Sequence, residues 1–165
     1  DRDRVQLDTE GAIQYGMYYW DDNYPDSHVF AEGECLRKTF DPDFMLYHTM
    51  AVDEWGHMKG ADSAEYANAV AAVGHLIAAR MPEWLQTGYQ VVVTADHGMN
   101  NLGIHVGTEP AQREVALYIF SDKVENGRFE ENYISQLNVA PMVCRLLGIP
   151  AAEGMKQELE IQLNK

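Results

Sequence analysis

The sequence predicts an α/β domain, a mostly parallel sheet flanked by helices. Short apolar runs of strand character alternate with longer stretches of helical periodicity, and strands separated by helices pair in parallel. Residues able to bind ligands also collect where those strands end, which is where open α/β sheets bind theirs. A chain of 165 residues is long enough for one domain with a sizeable core.

Taken in order, Asp1 to Asp3 are charged and expected to be loose. Gly11 to Trp20 is rich in aromatics and reads as a strand or a lid segment. A helix is expected from Ser27 to Lys38, with Pro25 just before it and Asp26 or Ser27 as its N-cap. Phe44 to Met50 reads as a buried strand, followed by the loop that carries Asp53. Between Ser63 and Met81, Tyr66, Ala69, Val70, Val73 and Ile77 recur at helical steps, and Pro82 is expected to close that helix. Gly88 turns the chain into a strand from Gln90 to Thr94, and Glu114 to Phe120 forms another. Ser135 to Leu147 reads as a helix ended by Gly148 and Pro150, before a polar tail from Ala151. No internal repeat or low-complexity tract is present.

The most informative stretch is Thr94-Ala95-Asp96-His97-Gly98-Met99, directly after the apolar Val91-Val92-Val93. A carboxylate and an imidazole sit side by side where a strand ends, and Gly98 lets the backbone turn away without a side chain in the cleft. Asp53 and His57 lie four residues apart, so one helical turn brings both to the same face. His105 follows in a loop between Gly103 and Gly107. These five residues, Asp53, His57, Asp96, His97 and His105, form the candidate metal site. His28, His48 and His75 have no such spacing and read as structural. Thr94 is a β-branched strand residue rather than a nucleophile, and Glu54 points elsewhere on its turn. The Gly103/Gly107 pair is no nucleotide fingerprint, because it follows no strand-turn-helix.

Asp53-Glu54-Trp55-Gly56-His57, Thr94-Ala95-Asp96-His97-Gly98-Met99 and Gly103-Ile104-His105-Val106-Gly107 together resemble the alkaline phosphatase superfamily. More narrowly, they resemble its type I phosphodiesterase/nucleotide pyrophosphatase branch. Arg113 to Ile119 resembles the family's next strand, and Gln136 to Pro141 with Leu146 to Pro150 its last helix, so the likeness runs from about residue 26 to 155. The resemblance implies an alkaline-phosphatase-like fold and two divalent metal ions, usually zinc, with manganese the alternative. It places Asp53, His57 and His105 on one ion and Asp96 and His97 on the other. The reaction it implies is hydrolysis of phosphate esters, of the phosphodiester or nucleotide pyrophosphate kind. A phosphomutase of the same superfamily and a non-catalytic metal-binding fragment are the alternatives. In the family a further Asp and a nucleophilic Thr or Ser come from the N-terminal half of the domain. No strand before Asp53 ends in a lone Asp followed by such a residue; Asp8-Thr9 has no apolar strand ahead of it. The chain therefore reads as the C-terminal part of a metal-dependent phosphodiesterase domain, with no catalytic nucleophile of its own. Its expected partners are a small phosphate ester or nucleotide substrate and the N-terminal half of the same enzyme. Val106 stands where the family often has glycine.

Composition narrows the remaining classes. A net charge of −14 argues against binding a nucleic-acid backbone, which wants Lys and Arg. It does not exclude a small phosphate ester, since two divalent ions would invert the local field. The acidic cluster of Asp21, Asp22, Asp26, Asp41 and Asp43 reads as solvated turn residues or caps. No run approaches the length of a membrane helix, Cys35 and Cys144 read as free thiols, and the compartment stays open.

Overall fold

The computed structural model describes residues 5–128, 133–155 and 161. The charged start from Asp1 to Asp3 lies outside them, as does most of the tail. The chain divides into two compact units, residues 1–82 with 95–116, and residues 83–94 with 117–165.

The first unit opens with a short antiparallel hairpin of β1 (Val5–Leu7) and β2 (Tyr15–Met17), so the aromatic stretch does contain a strand. Helix α1 (Asp26–Phe40) matches the expected one closely. Its N-cap is Pro25, whose ring holds φ at −64° beside an extended ψ of 126°, and Asp26 is its first helical residue. Phe44 to Met50, expected as a strand, is irregular and joins no ladder among the described residues. Its Tyr47 instead packs on buried Phe30 of α1, with ring centroids 5.3 Å apart, and donates its hydroxyl to Glu34. Helix α2 (Ala51–Lys59) follows, so Asp53 and His57 sit on a helix rather than in a loop. Helix α3 (Ala64–Gln86) starts where Ser63 caps the backbone N–H of Tyr66, and it continues through Pro82 instead of ending there. Proline clashes with the carbonyl one turn earlier, yet the helix runs on for four residues past it. The one-turn helix α4 (Pro110–Arg113) completes this unit, with a reciprocal cap between Glu109 and Gln112.

Tyr47 supplies a test of this packing. Burial, and then the adjacent Glu34 carboxylate, push its phenol well above the ordinary value of 10.0. A phenol raised in the folded state contributes fully below its unfolded pKa, and the contribution is lost as pH rises towards the folded one. Stability is expected to fall as pH is taken from about 9 to about 11, and to fall less steeply in Tyr47→Phe. Equal slopes in urea denaturation of the two proteins would contradict the assignment.

The second unit holds β3 (Val91–Val93) and β4 (Tyr118–Phe120), paired antiparallel with Val92 opposite Ile119. The mostly parallel sheet expected from the sequence is therefore not found among the described residues, where both pairings are antiparallel. A parallel pair needs a long crossover, usually a helix. The chain between β3 and β4 forms loops and one helical turn instead. Both strands are also shorter than expected, and Thr94 falls just past the end of β3. A 3₁₀ turn (Gln136–Asn138), capped by Ser135, leads into α5 (Val139–Leu146). Together they match the expected last helix, and Gly148 follows with a φ of 74°. Met142, Leu146 and Ile161 form this unit's buried cluster, against Val92, Leu117, Ile119 and Ile134. No described helix is long and apolar enough to cross a membrane.

Candidate metal centre

Three segments of the first unit bring the five sequence-predicted residues together. Helix α2 presents Asp53 and His57 one turn apart, with 3.4 Å between His57 Nε2 and Asp53 Oδ2. The segment after Ala95 packs onto this helix through Met99, which is buried against Gly56. A Cβ at Gly56 would lie 2.8 Å from the Met99 side chain, so the glycine permits the approach. That contact sets His97 Nε2 3.8 Å from Asp53 Oδ1 and 3.6 Å from Asp96 Oδ2. The third segment delivers His105, whose Nε2 is also 3.8 Å from Asp53 Oδ1. The His97 and His105 rings stack with centroids 3.7 Å apart, and His57 lies 4.9 Å from His105.

Asn100 and Gln112 hold the His105 loop, and sequence reasoning passed over both. Asn100 is buried, and its Oδ1 accepts from the N–H groups of Leu102 and Ile104 at 3.0 and 2.9 Å. Its carbonyl accepts from Gly103 and from Ala61, just beyond α2. Gln112, also buried, donates to the Ile104 carbonyl at 3.1 Å. The available signal was Asn followed three residues later by Gly, a loop closed by its own side chain. Gly103 has a φ of 72°, and a Cβ there would meet the His57 and Gly56 carbonyls.

The hydrogen positions follow from this frame. His57 Nδ1 faces the Gly103 carbonyl at 2.8 Å, and His97 Nδ1 faces the Gly98 carbonyl at 3.0 Å. A carbonyl only accepts, so each Nδ1 carries the hydrogen. In the neutral rings both Nε2 lone pairs then point among the Asp53 oxygens. Asp53 Oδ1 is buried and has no hydrogen-bond partner. Acceptors facing acceptors, with one carboxylate oxygen orphaned, is an arrangement that a cation satisfies. Asp53, His97 and His105 each offer a ligand atom, all within 4.8 Å of one another. The donor set of carboxylate oxygen and imidazole nitrogen suits zinc. Asp96 is exposed and also accepts from the His97 N–H at 3.1 Å. This grouping puts His97 beside Asp53 as closely as His105, whereas the family resemblance implies His97 and Asp96 on a separate ion. Burial, and then the Asp53 charge, raise the pKa of nearby Tyr66. Of the other histidines, His48 bonds the Tyr19 hydroxyl and His28 packs edge-on against Tyr24, as structural residues do.

A sequence model of the type I phosphodiesterase/nucleotide pyrophosphatase family matches residues 12–130. The chain belongs to this family. The phosphodiesterase match spans all five candidate ligands. It starts earlier than the expected residue 26, taking in β2, and stops short of α5. Among curated proteins, the chain is similar to the catalytic subunit of GPI ethanolamine phosphate transferase 3 from Mus musculus. They are 28% identical over 161 residues, covering 93% of this chain and 15% of the mouse protein. The Homo sapiens counterpart is 27% identical with the same coverage. GPI ethanolamine phosphate transferase 2 of Schizosaccharomyces pombe is 26% identical over 132 residues, covering 68% of this chain and 17% of that protein. The chain thus spans about 15% of the length of the first of these relatives. No solved structure matches.

Proposed function

We propose that this phosphodiesterase-family chain supplies the metal-holding part of a site that displaces groups at the phosphorus of a phosphodiester. Asp53, His57 and His105 would hold one divalent ion and Asp96 and His97 a second, both zinc. The observation that carries the reading is the orphaned Asp53 Oδ1, with the Nε2 atoms of His97 and His105 each 3.8 Å away. When bound, such ions supply Lewis-acid stabilisation to the oxygens entering and leaving phosphorus. The chain's own part is positional. The Gly103 and Gly98 carbonyls fix the imidazole tautomers, and α2 fixes the spacing of Asp53 and His57. No residue of this chain is assigned as the nucleophile.

The relatives' names favour transfer of the group over its release to water, with ethanolamine phosphate as the group moved. Hydrolysis is the same displacement with water as acceptor. Product analysis with a glycerol acceptor separates the two, since transfer gives a new phosphodiester and hydrolysis a monoester.

The metal reading is tested on the chain itself. Elemental analysis is expected to find bound zinc, and the His57→Ala, His105→Ala double variant is expected to hold less, having lost two of the three ligands of the first ion. Uptake should fall on acidification, because imidazole ligates only when neutral. Undiminished zinc in the double variant would refute the assignment.

A further inference from the structure

We propose that Asp26 is a positioning residue for the candidate metal centre, presenting Asp53 and His57 by capping the helix that bears them. The inference rests on the metal reading above. Asp26 is a carboxylate only 8% exposed, in the first turn of α1. It makes no cap for its own helix, which Pro25 precedes without a side-chain bond. Instead its Oδ1 accepts from the backbone N–H of Met50 at 3.1 Å and of Ala51 at 3.4 Å.

Those two N–H groups are the start of α2. Met50 stands at its N-cap position and makes no side-chain cap bond. Nor does a strand ladder fix the chain leading into it, since Phe44 to Met50 pairs with none among the described residues. The helix has only 9 residues, well under the ~12–15 at which an isolated helix becomes marginal. A buried carboxylate at its positive end satisfies an orphan donor and opposes the helix dipole. Asp53 lies in the first turn above this cap and His57 in the last. If the first turn frays or rotates, both side chains swing, and metal ligation tolerates only about 0.2 Å of error.

Zinc affinity, measured by competition with a chromophoric chelator, tests this. Asp26→Ala is expected to weaken zinc by about 10- to 100-fold, the usual cost of losing a group that orients ligands. Asp26→Asn keeps the accepting oxygen and should stay within about threefold of the unaltered chain. Ser63→Ala is the control. It removes the cap of α3, whose Tyr66 N–H bonds Ser63 Oγ at 3.1 Å, and should cost stability without changing zinc affinity. Should Asp26→Ala fail to fold, Asp26→Ser replaces it, being polar but too short to reach Met50. Unaltered zinc affinity in the Ala or Ser variant overturns the proposal. So does a loss in Ser63→Ala as large as theirs, which would make the effect one of general stability. No zinc on the unaltered chain overturns the metal reading and this proposal together.

Discussion

Asp53→Ala is expected to weaken zinc binding by at least about 100-fold while leaving metal-free stability within about 1 kcal/mol of the unaltered chain at neutral pH or above. The two halves of this expectation have one cause. Asp53 meets three imidazole Nε2 atoms at 3.4 to 3.8 Å, so it belongs both to the proposed set with His57 and His105 and to the cluster with His97 and His105. Its Oδ1 nevertheless has no hydrogen-bond partner, and a buried acceptor left unpaired costs free energy in the metal-free fold. Removing it relieves that cost. Against this stands the loss of an acidic residue from the first turn of α2, worth about 0.3–1 kcal/mol. The two nearly cancel. Zinc titration and urea denaturation on the same preparation check both halves. Undiminished zinc would remove Asp53 from the site. A stability loss above about 3 kcal/mol would show instead that its carboxylate is a structural partner of the histidines.

The ligand candidates were legible because each sits in a short local pattern. Asp53 and His57 share a helix face by spacing alone, and Asp96-His97-Gly98 announces itself at a strand end. What joins these segments was not legible. Asp26 caps a helix 24 residues further along, and Asn100 ties its loop to Ala61, two residues beyond α2, contacts that leave no periodic trace. The sequence reading of Asp26 as a cap was right in kind, but it named the wrong helix. The main failure in the fold was strand pairing. Phe44 to Met50 has the apolar content of a buried strand, yet Tyr47 packs against Phe30 of α1 while Phe44 and Leu46 are exposed. Alternation of strands and helices suggested parallel pairing, while β3 and β4 pair antiparallel across a long excursion. Periodicity reports which face of an element is apolar; it does not report what covers that face. Pro82 makes the same point for helices, since α3 outlasts the residue expected to stop it.

Gly98→Ala is expected to destabilise the first unit by about 3 kcal/mol or more and to abolish zinc binding with it. Gly98 has an ordinary φ, so the expectation rests on space rather than on backbone conformation. A Cβ at this position would collide with the Ala111 carbonyl oxygen and lie 3.1 Å from that of Glu114. Both are backbone atoms at the one-turn helix α4, so no flexible side chain can yield. The N–H of Gly98 also donates to the Gln112 carbonyl at 2.9 Å, which fixes the approach. Relief requires the 96–99 segment to move away from α4. His97 would move with it, since its Nδ1 is held by the Gly98 carbonyl, and so would Met99, buried against α2. The centre would then lose the geometry that brings His97 to Asp53. Gly74→Ala is the matched comparison, because nothing lies within 4 Å of a Cβ there. In the middle of α3 it should stabilise by about 0.5–1 kcal/mol through helix propensity. Urea denaturation of the two variants is expected to move in opposite directions. Native-like stability and zinc uptake in Gly98→Ala would mean that the Asp-His-Gly turn is looser than its contacts with α4 indicate.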